Sequence, residues 1–147
     1  MVVWLHGGGY VLGDKEVTKE YAMTLASHGY VVANVNYALA PEHKYPTPVV
    51  QANQALKYLN SNAAKYGGDM DRLFPGGNSA GAQIVSQIAA ITSNERLVKS
   101  MGIKPAIENE QLSGVLLFCS IYDMKTVRAT GTPFLETFMW SYGHAGF

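Results

Sequence analysis

Gly77-Asn78-Ser79-Ala80-Gly81 constrains this chain more than any other stretch. A serine with glycine two residues to either side fits a sharp turn from a strand into a helix, with side chains removed where the turn packs closely. Such a turn lifts the Ser79 hydroxyl out of the sheet, where it can act as a nucleophile. Far upstream, His6-Gly7-Gly8-Gly9 directly follows an apolar run. Its Gly7 and Gly8 N–H groups, with that of Ala80, are the expected donors to the oxygen that turns negative when an ester carbonyl is attacked. Two plainer readings stand beside these: a glycine-rich turn that happens to hold a serine, and a phosphate-binding glycine loop. A strand–turn–helix context surrounds Ser79, and no G-x-G-x-x-G or G-K-[ST] accompanies the glycines after His6. Together the two motifs point to serine-dependent acyl transfer.

Met1 to Leu5 is a short apolar run that reads as a buried strand of a parallel sheet, and Tyr30 to Val35 reads likewise. Between them, Lys15 to His28 carries Val17, Tyr21, Thr24 and Leu25 at helical spacing, stopped by Gly29. Pro41, Pro46 and Pro48 mark a loop; Thr47 is the expected cap of a helix that runs to about Tyr66. Asp71 to Gly76 is the expected strand before the serine turn, with Pro75 placed at its end, where a lost ladder donor matters least. Ala80 to about Val98 reads as one helix with Ile84, Ile88 and Ile91 on a face, and Lys99 to Gln111 as a polar connection. Gly114 to Cys119 is the fourth strand, and Thr132-Pro133 opens a last helix holding Phe134, Phe138 and Met139. Alternation of this kind predicts an α/β fold: a mostly parallel sheet with helices on both faces.

With 147 residues, 48% hydrophobic and 15% charged, the chain suits one globular domain. Lys plus Arg equals Asp plus Glu at 11 each, so no net field favours nucleic acid or an anionic membrane. The single cysteine, Cys119, excludes an intrachain disulfide and a cysteine zinc site, and its apolar neighbours predict a buried thiol. No apolar run nears the ~20 residues of a membrane span. No basic region followed by a long apolar stretch opens the chain, so a cytoplasmic protein is expected. No metal or cofactor is implied.

Beyond the two motifs, Tyr10, Gly13-Asp14, Tyr37-Ala38-Leu39-Ala40-Pro41-Glu42-His43, Asp71-Arg72-Leu73 and Gly76 complete a pattern. On these residues the chain resembles the hormone-sensitive-lipase-like branch of the α/β-hydrolase esterases, from its start to about Asp123. The resemblance implies hydrolysis of a small-molecule carboxylic ester through an acyl-enzyme on Ser79. It implies Gly7, Gly8 and Ala80 as oxyanion donors, and His6, Gly9, Gly77, Asn78 and Gly81 as residues that shape the two motifs. Asn78 replaces the family's usual aspartate, and Ala38 its usual arginine.

In that family the catalytic acid and then the histidine follow the serine along the chain. Each strand–helix–strand step needs ~30 residues or more, so the stretch after Tyr122 is expected to be too short to hold both. The resemblance thus describes residues 1–147 as an incomplete hydrolase domain, lacking N-terminal strands, a cap and the acid–histidine segment. Within the chain, His144 is the candidate base and Asp123 the candidate acid, with Glu136 as its alternative. A solvated terminal histidine is the plainer reading of His144; His28 and His43 read as helix-end and loop residues. A chain without acid and base reads alternatively as a catalytically silent or small-molecule-binding relative. The strands should order as Tyr30–Val35, Met1–Leu5, Asp71–Gly76, Gly114–Cys119. That leaves apolar outer strands through which copies of the chain are expected to associate.

Overall fold

Val2–Leu5 forms strand β1, apolar at every position and buried at every position. Both of its edges are paired. In the computed structural model, which describes residues 1–131 and 135–143, β1 lies between β2 (Val32–Val35) and β3 (Phe74–Asn78). Strand β4 (Leu116–Phe118) completes a parallel sheet in the order β2-β1-β3-β4, the order the sequence predicts. In register, Trp4 faces Asn34 on one side and Gly76 on the other.

Right-handed crossovers place the helices on both faces. The step from β1 to β2 carries a 3₁₀ turn (Lys15–Thr18) and α1 (Lys19–Ser27). The steps to β3 and β4 run the opposite way across the sheet, so α2 (Thr47–Asn62) and α3 (Ala80–Ser93) cover the other face. Alternation along β1 divides its side chains accordingly. Val3 and Leu5 join Val49 and Leu56 of α2 and Ile84, Ile88 and Ile91 of α3 in the main core. Trp4 points to the thinner face, 4.6 Å from the Tyr21 ring of α1 and 5.6 Å from Phe118.

Several local expectations change. The helix after Ser79 stops at Ser93, because Asn94 is extended and its Oδ1 accepts from Arg96 N at 3.0 Å, starting α4 (Glu95–Met101). Pro46, not Thr47, occupies the cap position of α2, and no side chain caps that helix. Pro75 lies inside β3. Phe74 N–H turns to Met1 on the β1 side, so the proline nitrogen faces the β4 side, where the ladder begins only at Gly76. The expected polar connection buries Ile103 and Ile107 in the core. Cys119 is exposed: β4 ends at Phe118, and Cys119 takes a left-handed φ of 50° that turns the chain away from the strand direction. After β4 come α5 (Met124–Ala129) and α6 (Leu135–Tyr142). Thr132, Pro133 and Phe134 lie outside the described residues.

Helix α6 packs on the loop after β1. Tyr142 stacks on Tyr10 at 3.7 Å and meets Tyr45 edge-on at 5.9 Å, while Tyr45 N–H donates to the Tyr142 carbonyl. The Tyr142 hydroxyl is buried without a hydrogen-bond partner among the described residues. Tyr142→Phe is therefore expected to raise stability by about 1 kcal/mol at neutral pH, the cost of a buried unpaired polar group. Burial pushes the phenols of Tyr10, Tyr37 and Tyr142 above their ordinary range. Their neutral forms are favoured in the folded state, so this stability is full below the unfolded value near pH ~10 and declines as pH rises past it. Urea midpoints at pH 8 and 11 should diverge less in Tyr142→Phe than in the parent; equal divergence counts against it.

Candidate active site

Ser79 sits where β3 meets α3, at the C-terminal end of a central strand. Its φ of 51° and ψ of −119° are unusual for a residue with a side chain. Such conformations cost on the order of 1–3 kcal/mol and persist only where surrounding structure enforces them. The residue is exposed, and its side chain does not cap the helix that follows.

Close packing explains the glycines around it. A Cβ on Gly77 would lie 2.6 Å from the Gly81 carbonyl carbon and 2.7 Å from Leu5 O. One on Gly81 would lie 2.2 Å from Leu5 O. The turn is thus pressed against the end of β1, where His6-Gly7-Gly8-Gly9 begins. A Cβ on Gly7 would stand 3.2 Å from the Ser79 Cβ, so sheet order alone brings the two motifs together.

Asn78 couples them. Its Oδ1 accepts the Gly7 N–H at 3.1 Å. That bond turns the Gly7 amide, one of the expected oxyanion donors, into the serine turn. Among the described residues, the N–H groups of Gly8, Gly9 and Ala80 have no protein acceptor. Gly8 (φ 126°), Gly9 (φ 58°) and Tyr10 (φ 67°) hold the loop in a left-handed run. The Gly8 carbonyl accepts from Val11 N and Leu12 N, which closes the turn. Within this loop, the Asn78 contact distinguishes the Gly7 amide from those of Gly8 and Gly9.

His6 is a brace for this loop. It is 1% exposed; Nδ1 lies 2.7 Å from the Gly7 carbonyl, and the ring stacks on Tyr37 at 4.4 Å. The Tyr37 hydroxyl donates to the His6 carbonyl, and Ala40 N–H donates to the Tyr10 carbonyl. Residues 37–40 therefore hold the loop from below. Ala38, at the position of the missing arginine, is fixed instead through its N–H to Gln51 Oε1 at 2.7 Å.

Of the acid and base candidates, Asp123 and Glu136 fall on described residues. His144 lies outside the described residues. Asp123 precedes α5, and its carboxylate accepts from Thr126 N and Thr126 Oγ1 at the helix start. Glu136 is exposed on α6. His28 is exposed at the end of α1, with Nδ1 2.8 Å from the Thr24 carbonyl, and His43 is exposed in the loop after Pro41. No group of three His, Cys, Asp or Glu side chains among the described residues is placed to hold a metal ion. No described helix is long and apolar enough to cross a membrane.

Residues 2–142 match the α/β-hydrolase-fold family. The versiconal hemiacetal acetate esterase of Dothistroma septosporum is 38% identical over 85 residues, covering 57% of this chain and 26% of that protein. Carboxylesterase NlhH of Mycobacterium tuberculosis is 38% identical over 92 residues, covering 62% of this chain and 29% of that protein. Esterase B from Lactobacillus rhamnosis superposes with a TM-score of 0.84 at 26% identity, covering 93% of this chain and 43% of that one. The chain thus spans less than half of each of these relatives. The four-stranded parallel sheet, the serine turn at its centre and the match over residues 2–142 agree: this chain belongs to the α/β-hydrolase fold family, in its hormone-sensitive-lipase-like carboxylesterase branch.

Proposed function

We propose that this chain carries the nucleophile and oxyanion donors of a carboxylic ester hydrolase, with Ser79 forming the acyl-enzyme. The observation that carries the proposal is the exposed, strained Ser79 at the glycine loop, where three N–H groups have no acceptor among the described residues. In the reaction, Ser79 Oγ attacks the ester carbonyl carbon as its proton passes to a general base. The carbonyl oxygen becomes an oxyanion held by Gly8, Gly9 and Ala80, and the first turn of α3 adds partial positive charge. Collapse breaks the ester C–O bond, and the alcohol leaves with the proton from the base. Water then attacks the acyl-enzyme by the same route and releases the acid. His144 is the base candidate within the chain, and none of the histidines the structure describes takes that role. Gly9 faces the Phe138 ring, which would lie 2.8 Å from a Cβ there. Phe138 therefore forms a wall beside the oxyanion position, where the substrate's acyl or alcohol group must pass.

Release of p-nitrophenol from p-nitrophenyl butyrate tests the proposal. A burst that scales with protein concentration, followed by slower turnover, is the expected result. Release at the rate of buffer alone would overturn it.

Self-association through the sheet edge is part of the same reading. On β4, Phe118 is 45% exposed and the adjoining Val115 36%, beside a free strand edge. Light scattering after size exclusion should give a mass that rises with concentration. A constant monomer mass would contradict the association.

A further inference from the structure

The turn after β4 grips the main chain of Ser79 from both sides. Ser79 N–H donates to the Phe118 carbonyl at 2.8 Å, and Ser120 Oγ donates to the Ser79 carbonyl at 2.7 Å. Cys119, between the two partners, makes this possible. Its left-handed φ of 50° bends the chain so that residues 118 and 120 both reach the same residue. The Ser79 carbonyl already accepts Gln83 N–H at 3.1 Å as the first bond of α3, so the Ser120 hydroxyl fills its second lone pair. Two side-chain-bearing residues with positive φ thus meet across the β3–β4 junction. Each is strained, and the two bonds to Ser79 come from the residues that flank Cys119.

We infer that Ser120 is a positioning residue for Ser79: with the Phe118 carbonyl, its hydroxyl clamps the serine main chain and holds it in the strained conformation that presents Oγ. The inference rests on the nucleophile reading for its catalytic consequence, but not for the clamp. Without the Ser120 hydroxyl the Ser79 carbonyl is held by Gln83 N–H alone, and the elbow can relax toward ordinary helical dihedrals, which would turn Oγ away from the oxyanion donors. Displacements of about 1 Å in such geometry can cost roughly a hundredfold in rate. Losing one hydrogen bond of about 1.4 kcal/mol corresponds to about a tenfold change.

Two variants and two measurements decide it. Ser120→Ala removes the hydroxyl, and Ser120→Thr keeps it. Amide hydrogen exchange at Ser79 should be roughly tenfold faster in Ser120→Ala and near the parent rate in Ser120→Thr. With p-nitrophenyl butyrate, kcat should fall about tenfold in Ser120→Ala with KM within about twofold, and recover in Ser120→Thr. A hydroxyl that only supports the fold would lower the melting temperature and leave this kcat split absent. Unchanged exchange at Ser79, or faster exchange with kcat intact, would overturn the inference. If the parent chain shows no Ser79-dependent turnover, the hydrolase reading fails by itself, and the exchange measurement still decides the clamp.

Discussion

Gly81→Ala is expected to destabilise the fold by about 3 kcal/mol or more, a large share of the ~5–15 kcal/mol that holds a domain together. Two effects oppose each other here. Gly81 is the second residue of α3, and alanine is favoured over glycine inside a helix by roughly 0.5–1 kcal/mol. Against that, the new Cβ would stand 2.2 Å from Leu5 O and 2.5 Å from His6 O. Both are main-chain atoms at the end of β1, a strand tied on each side to β2 and β3. No rotamer relieves the contact; either the helix start or the sheet must move. Packing outweighs propensity, and because the contact lies under Ser79, the helix shift also displaces Ser79. The urea midpoint should fall sharply. A midpoint equal to or above the parent's would mean that α3 does not press on β1 as described.

Ser79→Ala should do the reverse, removing activity and sparing the fold. On the proposed reading of Ser79 as the attacking group, its loss is expected to cost about a thousandfold or more in kcat/KM for p-nitrophenyl esters. Stability should stay within about 0.5 kcal/mol, because alanine meets the same backbone strain and the lost hydroxyl does not cap α3. Ester turnover that persists in Ser79→Ala would assign it to another group.

Much of this was legible in the sequence because strong local signals agreed. The apolar run before His6 could only be a buried strand, and the glycines around Ser79 fixed the strand–turn–helix junction. The strand order followed from the resemblance to the α/β-hydrolase fold. Most of the differences lie where the chain turns within an unbroken apolar or helical pattern. Residues 80–98 keep helical periodicity throughout, and only the Asn94 side chain, by capping the next turn, divides them. Val115 to Cys119 reads as a uniform buried strand, yet the bend at Cys119 exposes its thiol and returns Ser120 to Ser79. The Gly7 amide is taken by Asn78, a long-range contact without a sequence signature. Helix α5 was missed because Met124–Ala129 is too short to carry a period.

Covalent trapping reports on Ser79 most directly. Incubation of the chain with a p-nitrophenyl alkylphosphonate, followed by peptide mapping, locates the group that attacks an ester-like centre. A serine nucleophile at this turn predicts a stoichiometric phosphonyl adduct on Ser79 that is lost in Ser79→Ala. An adduct elsewhere with Ser79 untouched, or no adduct at all, would contradict it.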